Sequence, residues 1–383
     1  MRVKPISEPP TIPVTYVRGG TSKALFFHED DIPPPGDQRD RFLLRMMGSP
    51  DPMQIDGMGD VDVGYTFAQV GIETATAGYA GNCGNISAAV GPFAVNEGLL
   101  KESRPGLSLD GKLKTMEVRI YNTGTKKVLI SHVPVDDSTG RTLESGDFSI
   151  AGCPGTGAPI LMDYTSVIGA TLGQGIFPTG NRIDETEING KCVPFTVCDV
   201  GNIVVFARAA DLGISGHESP AEIDKNETVL ANVKQLRGKV AYKVGMCRNW
   251  ERVDEESPMI PMIALVSPAT DDRAYLQSRL FLDNRCHSSM AGTVGICTAA
   301  CSRARWTLVH NILDPVDIKS KIVNIQHPSG ILPISVEQHP TTGIKPSGEF
   351  SAAGLVMLNE HPPCFIEGIV FCAYVSALNI SES

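Results

Sequence analysis

The sequence predicts an α+β protein of two similar domains, each a mostly antiparallel sheet wrapped around one central helix. Three observations predict it. A chain of 383 residues suits two domains better than one. Hairpin signals recur along its whole length. Two stretches also look like one device built twice. Gly81-Asn82-Cys83-Gly84-Asn85 opens a segment with Ile86, Ala89, Val90, Phe93 and Ala94 at helical spacing, and Met290-Ala291-Gly292-Thr293 opens another with Val294, Cys297, Ala300 and Cys301. The expected halves are 1–170 and 171–383, with the last strands free to return to the first half.

The elements follow in order. Val14–Arg18 and Ala24–Phe27 read as strands around a Gly19-Gly20 turn, and a short helix is expected over Asp37–Met47. Tyr65–Thr76 is strand-like. The helix after Cys83 is expected to stop near Gly98, with Pro92 kinking it or ending it early. Met116–Tyr121 and Val128–Val133 flank Asn122-Thr123-Gly124-Thr125, a hairpin signal. The Gly- and Pro-rich stretch Asp147–Tyr164 is expected to cross between halves. A hairpin over Phe195–Val200 and Ile203–Arg208 turns at Gly201-Asn202. Pro220–Arg237 reads as one helix, with Ser219 as its cap and Gly238 as its stop. Ile260–Val266 is a strand, the Thr293 helix follows, and late strands end at Phe371–Val375.

Composition narrows the function. Formal net charge is -10, which argues against a nucleic-acid-binding role and leaves an anionic substrate to be captured by local groups. The apolar run Gly368–Leu378 is far short of the ~20 residues a spanning helix needs. Met1–Pro10 has no signal-peptide character. The ten cysteines are irregularly spaced, so free thiols in a reducing cytoplasm are expected. Cys297 and Cys301 are expected to share a buried helix face. Cys286 and His287 lie nearby, but without a Cys-x-x-Cys pair no metal site is expected. No Gly-x-Gly-x-x-Gly opens a helix after a strand, so no dinucleotide site is expected.

The helix starts carry the chemistry. A helix N-terminus offers unpaired N–H groups and a partial positive charge, so it binds anions and favours thiolate over thiol. Two such ends facing each other would make a cleft for a small polyanion, with Cys83 as acid/base or nucleophile. The plain alternative for Cys83 is a small buried core thiol.

Several motifs together resemble one family: Tyr16-Val17-Arg18-Gly19-Gly20-Thr21-Ser22-Lys23, Gly48-Ser49-Pro50-Asp51-Pro52, Ile55-Asp56-Gly57-Met58-Gly59, Phe67-Ala68-Gln69-Val70, Asn82-Cys83-Gly84-Asn85, Val90-Gly91-Pro92-Phe93, Pro154-Gly155-Thr156-Gly157-Ala158, Pro178-Thr179-Gly180-Asn181 and His327-Pro328-Ser329-Gly330. The chain resembles, over most of its length, the PrpF-like methylaconitate isomerases and their relatives, aconitate isomerases and 4-oxalomesaconate tautomerases. These share the diaminopimelate epimerase-like fold. It departs from the family twice. The family's Asp-Gly-Met-Gly motif leads into a second Thr-Ser-Lys, whose lysine partners the cysteine in proton transfer; here Gly59 runs into Asp60-Val61-Asp62-Val63. The ending Phe371-Cys372-Ala373-Tyr374 lacks the family's Arg-rich close.

The resemblance implies a cofactor-independent isomerase that shifts a double bond by proton transfer in a small unsaturated tricarboxylate of the aconitate or 2-methylaconitate type. Cys83 would carry the proton. Lys23 would pair with a carboxylate or substitute as base, its plain alternative being a hairpin-edge lysine. Arg18 would clamp a carboxylate, or make an ordinary salt bridge. Ser22, Asn82, Gly84 and Asn85 would line one anion site and Gly292 and Thr293 the mirrored one, while Ser329 and Gly330 would close it. Each of these also reads as turn or cap chemistry. Thr179, Gly180 and Asn181 are weaker candidates, and His287 is a group that could titrate near neutral pH. No second cysteine stands near Ala291, which argues against two-thiol racemisation. Two alternatives stay open: keto–enol tautomerisation of an oxalomesaconate-type acid, and a non-catalytic carboxylate-binding relative that has lost its lysine segment. The expected partner is the small substrate alone, with no nucleic acid or membrane, and a homodimer is left open.

Overall fold

In a computed structural model, residues 13–19, 22–36, 38, 39, 42, 61–70, 77–79, 82–100, 102–108, 111–151, 155–169, 171–313, 320, 322–335 and 371–377 are described. They form two mixed sheets, each holding one central helix. The first sheet takes β1 (Thr15–Gly19), β2 (Ser22–His28), β3 (Val63–Val70), β4 (Ala77–Gly78), β5 (Arg104–Pro105), β6 (Thr115–Asn122), β7 (Lys127–Pro134) and β8 (Leu161–Asp163). The second takes β9 (Asp184–Ile188), β10 (Lys191–Val200), β11 (Asn202–Arg208), β12 (Met262–Ser267), β13 (Leu276–Leu282), β14 (Arg285–Cys286), β15 (Ile322–His327) and β16 (Gly330–Ser335). The last strand, β17 (Phe371–Ala377), returns to the first sheet and lies between β2 and β3.

The two sheets repeat one pairing scheme. Read as β1-β2-β17-β3-β6-β7, the neighbours are antiparallel, parallel, antiparallel, parallel and antiparallel. Read as β10-β11-β12-β13-β15-β16, they run in the same sequence. The parallel steps β3 to β6 and β13 to β15 are each made through the central helix, as parallel pairing requires a crossover. These helices are α1 (Gly84–Asn96) and, in the second half, α4 (Gly292–Arg303). Residues Gly84–Ala94 of α1 are all buried, as are all twelve residues of α4. Neither helix therefore needs a polar face, which is why their apolar residues do not form a narrow stripe. The core runs unbroken from one half to the other.

Several expectations are corrected. The helix after Cys83 ends at Asn96, close to the expected stop near Gly98, so Pro92 does not end it early. Pro92 removes one helical donor, but Phe93 and Ala94 still accept from Glu97 and Leu99, both at 2.9 Å, and burial on every side outweighs the lost bond. Pro220–Arg237 is not one helix. A short turn, α2 (Pro220–Ile223), opens with a capping box between Ser219 and Glu222, and α3 (Glu227–Lys243) restarts at Asn226, whose side chain accepts from the Val229 amide. Gly238 does not stop the helix. It lies buried inside α3, where a side chain would collide with the Trp250 carbonyl oxygen. The stretch Asp147–Tyr164 is not the crossover, because β8 still belongs to the first sheet; the crossing follows Asp163. Most of the helix expected over 37–47 and the stretch around Gly59 lie outside the described residues. Among the described residues, no helix is long and apolar enough to cross a membrane.

Candidate active site

Cys83 is the N-cap of α1, in extended conformation, and makes no side-chain capping bond. Its carbonyl accepts the first helical bond, from the Ser87 amide at 2.9 Å. Ala291 is the N-cap of α4, so Thr293 is not the cap but sits inside the first turn. Neither helix start is closed by its own N-cap side chain. The expected juxtaposition is present. A side-chain carbon added at Gly84 would stand 3.0 Å from the Thr293 amide nitrogen, so the two N-termini meet almost backbone to backbone.

Two asparagines hold this meeting point. Asn202, at the head of β11, donates through Nδ2 to the Asn82 carbonyl at 2.7 Å and to Thr293 Oγ1 at 2.9 Å. Its Oδ1 accepts from the Asn82 amide at 3.1 Å. Asn122, at the end of β6, donates to Asn82 Oδ1 at 2.9 Å, while its own Oδ1 accepts from the amides of Gly124 and Thr125 at 2.9 and 3.0 Å. Asn82 Nδ2 is buried and without a partner, a donor left over on the residue that precedes Cys83. An unpaired buried amide donor is costly, which makes it a natural contact for an incoming oxygen.

Beneath the cysteine lies a layer of hydroxyls. Ser87 Oγ and the Tyr164 hydroxyl are 2.7 Å apart, and both lie within bonding distance of the Gly84 carbonyl, at 2.9 and 3.1 Å. Two hydroxyl hydrogens thus serve three contacts. Burial pushes the Tyr164 phenol far above its ordinary range, against the Ser87 bond and with Cys83 adding to the rise. Tyr65 on β3 is raised too, first by burial and then by Cys83 and Tyr164. Both phenols stay protonated near neutral pH. Cys83 itself is half-buried, is in no disulfide, and packs against the core.

The second half contributes less directly. Ser329 gives its hydroxyl to the Ser288 carbonyl, on the segment leading into α4, and its amide donates to His327 Nδ1 at 3.3 Å. Gly330 lies against Ala151 of the first half. Burial lowers the pKa of His287 from its ordinary value, and its Nδ1 accepts from the Ser289 amide at 2.9 Å. Burial, with His287 and Arg279 adding, pushes His327 down to about 4. The Thr179–Asn181 turn lies against Asp184. Asn181 Nδ2 donates to Asp184 Oδ1 at 2.9 Å, and Lys243 pairs with the same carboxylate.

Asn85 and Gly292 are buried in the first turns of their helices. Arg18, Ser22 and Lys23 are placed by backbone only. Arg18 pairs with Lys23 and Gly19 with Ser22 across the β1–β2 hairpin, which lies beside α1. The roles expected of those three side chains lie outside the described residues. Cys297 and Cys301 are buried together, as expected, and Cys297 donates to the Cys198 carbonyl. Among the described residues, no group of three or more His, Cys, Asp or Glu is arranged to hold a metal.

Sequence reasoning missed Asn202, Asn122, Tyr164, Tyr65 and Ser87 as parts of this site. Asn202 had one visible signal: an amide side chain heading a strand otherwise apolar from Ile203 to Ala207.

A model of the PrpF protein family matches residues 10–62 and 59–347, and the two matches meet where the Thr-Ser-Lys segment was expected. The chain is 36% identical to the 3-methylitaconate isomerase of Eubacterium barkeri, over 86% of this chain and 91% of that one. It is 32% identical to the 2-methyl-aconitate isomerase of Shewanella oneidensis, over 94% and 97%. It is also 33% identical to the 4-oxalomesaconate tautomerase of Pseudomonas putida, over 85% and 89%. A crystal structure of methylitaconate-delta-isomerase superposes with a TM-score of 0.71 at 34% identity, covering 94% of this chain and 95% of that one.

Proposed function

This chain belongs to the PrpF protein family, and from that premise we propose that Cys83 carries a proton between two carbons of an unsaturated carboxylate held at the paired helix ends. The chain is an isomerase of small unsaturated carboxylates. On our reading the substrate is a tricarboxylate of the aconitate or 2-methylaconitate type, and no cofactor takes part.

A C–H bond beside a carboxylate is a weak acid, so the dienolate formed on its loss must be stabilised. In the proposed step the Cys83 thiolate takes the allylic proton. The C–H electrons move through the double bond onto the carboxylate carbon and oxygen. The thiol then returns its proton to the far carbon, which completes the shift. Amides in the first turns of α1 and α4, with Asn82 Nδ2, would face the developing charge; such donors are worth roughly 2.7–4 kcal/mol each where tested in other enzymes. The helix ends also favour thiolate over thiol. Arg18 and Lys23 would supply cations from the adjoining hairpin, and Ser22, Asn85, Ser329 and Gly330 would shape the remainder.

The observation that carries this reading is the meeting of two helix N-termini at Gly84 and Thr293, with a half-buried thiol at the junction. Two like partial charges brought together are unfavourable unless an anion sits between them. A purely binding role is not favoured, since relatives alike over most of the chain carry isomerase names. A cytoplasmic setting and a homodimer are the location and assembly to test.

The test is proton NMR in D₂O with cis-aconitate, trans-aconitate, 2-methylaconitate and an oxalomesaconate arm, using the native protein and Cys83→Ser. Vinyl or methylene signals should migrate or exchange with the native protein alone. Exchange that survives Cys83→Ser would overturn the role of the thiol. Binding without exchange in every arm would overturn the isomerase reading.

A further inference from the structure

We infer that Asn202 is a positioning residue that sets the spacing and register of the two helix starts, acting through Asn82–Cys83 and Thr293 rather than by touching substrate. The inference rests in part on the proton-transfer reading above. Asn202 is 1% exposed. Both of its Nδ2 hydrogens are used, one on the Asn82 carbonyl and one on Thr293 Oγ1, and its Oδ1 accepts from the Asn82 amide. No donor remains for a ligand.

The chemistry of the clamp is specific to an amide. A side-chain carboxamide can accept from a backbone N–H and donate to a backbone C=O of the same residue, as a neighbouring strand would. Because the Asn82 carbonyl shares a rigid plane with the Cys83 amide, gripping one orients the other. The clamp thus fixes how Cys83 enters α1. Its third bond ties that entry to the second residue of α4, on the opposite half of the molecule.

Local backbone supports the placement. Gly201 precedes Asn202 with φ +77, a conformation that side chains rarely adopt. A carbon added there would stand 3.5 Å from Thr293 Cβ. The turn thus carries the β11 head into the helix junction. Aspartate in place of Asn202 keeps the shape, but it cannot donate to the Asn82 carbonyl. It also sets a buried negative charge against the residue that precedes Cys83, and that charge disfavours thiolate at Cys83.

The test uses Asn202→Asp, Asn202→Ala, Thr293→Val and the double variant Asn202→Ala/Thr293→Val. Iodoacetamide alkylation of the Cys83 peptide is followed by mass spectrometry against pH, so the readout does not depend on knowing the substrate. In Asn202→Asp the alkylation midpoint should move up by about one pH unit, or roughly tenfold slower labelling below it. With an active substrate, kcat should fall on the order of 100-fold while KM changes less than about threefold. The double variant should lose little more than Asn202→Ala alone, because both remove the same tie.

Losses that multiply independently, or an alkylation profile unmoved in every Asn202 variant, would overturn the inference. So would a loss confined to KM, which marks direct substrate contact. If Asn202→Ala fails to fold, Thr293→Val against Thr293→Ser decides, since only the serine keeps the hydroxyl acceptor. If the native protein turns over nothing, the isomerase reading fails while the alkylation series still judges the clamp.

Discussion

Gly84 and Thr293 approach so closely that a methyl group on the first would stand 3.0 Å from the amide nitrogen of the second. Both belong to buried helix starts, and neither backbone can yield without moving a whole element. Gly84→Ala should therefore part the two helices by a few tenths of an ångström. We expect a stability loss of about 1–3 kcal/mol and a larger proportional loss of isomerisation. Urea unfolding beside the D₂O exchange assay checks both. An alanine variant with native activity would show that the spacing of the helix ends is not critical.

Tyr164 braces the same helix from below. Tyr164→Phe keeps the ring and removes the hydroxyl shared with Ser87 and the Gly84 carbonyl. Ser87 still reaches that carbonyl at 2.9 Å, so one contact survives. The expected cost is about 1–2 kcal/mol, read from the denaturant midpoint at unchanged m-value. A loss well beyond that would mean that Ser87 cannot hold the carbonyl alone.

His327 predicts a pH effect on stability. Its pKa is pushed down to about 4 in the fold, from an ordinary value of 6.5. Between those values the unfolded chain takes up a proton that the folded protein refuses. Stability should therefore fall as pH drops from 6.5 towards 4, and level off below. The size is about 3 kcal/mol for this residue. His287, also lowered by burial, adds in the same direction. Unfolding free energies of His327→Asn measured across that window should show a visibly flatter slope. An identical slope in the two proteins would contradict the assignment.

Gly238 should reverse a familiar rule. Inside an exposed helix, alanine stabilises over glycine by up to about 1 kcal/mol. At Gly238 the added methyl meets the Trp250 carbonyl, so Gly238→Ala should destabilise. Thermal unfolding of that single variant gives the sign.

These relationships show what could be read before folding and what could not. Asn122-Thr123-Gly124-Thr125 announced its hairpin, because turn chemistry is local, and the β6–β7 pairing runs as expected from Thr115 to Pro134. The helices behind Cys83 and Thr293 were legible from spacing. The second duty of Asn202 was not, since turn residue and inter-helix clamp demand the same side chain. Tyr164 lay hidden for another reason: its partners Gly84 and Ser87 are about eighty positions away in the chain, and no periodicity carries that information. Gly238 misled because a glycine needed for close approach looks like one that ends a helix.

The late strand β17 has a consequence for how the protein is made. All the described strands of the second sheet come from one contiguous stretch of chain, 184–335, which can close on itself as soon as it leaves the ribosome. The first sheet cannot, because β2 and β3 wait for residues 371–377 to fill the gap between them. Until translation reaches that point, two strand edges stand open, the condition that invites mispairing between chains. A premature stop before Phe371 would leave the Cys83 helix and most of its sheet synthesised, yet with an unfilled seam, and its product should be found in aggregates rather than as a weaker enzyme.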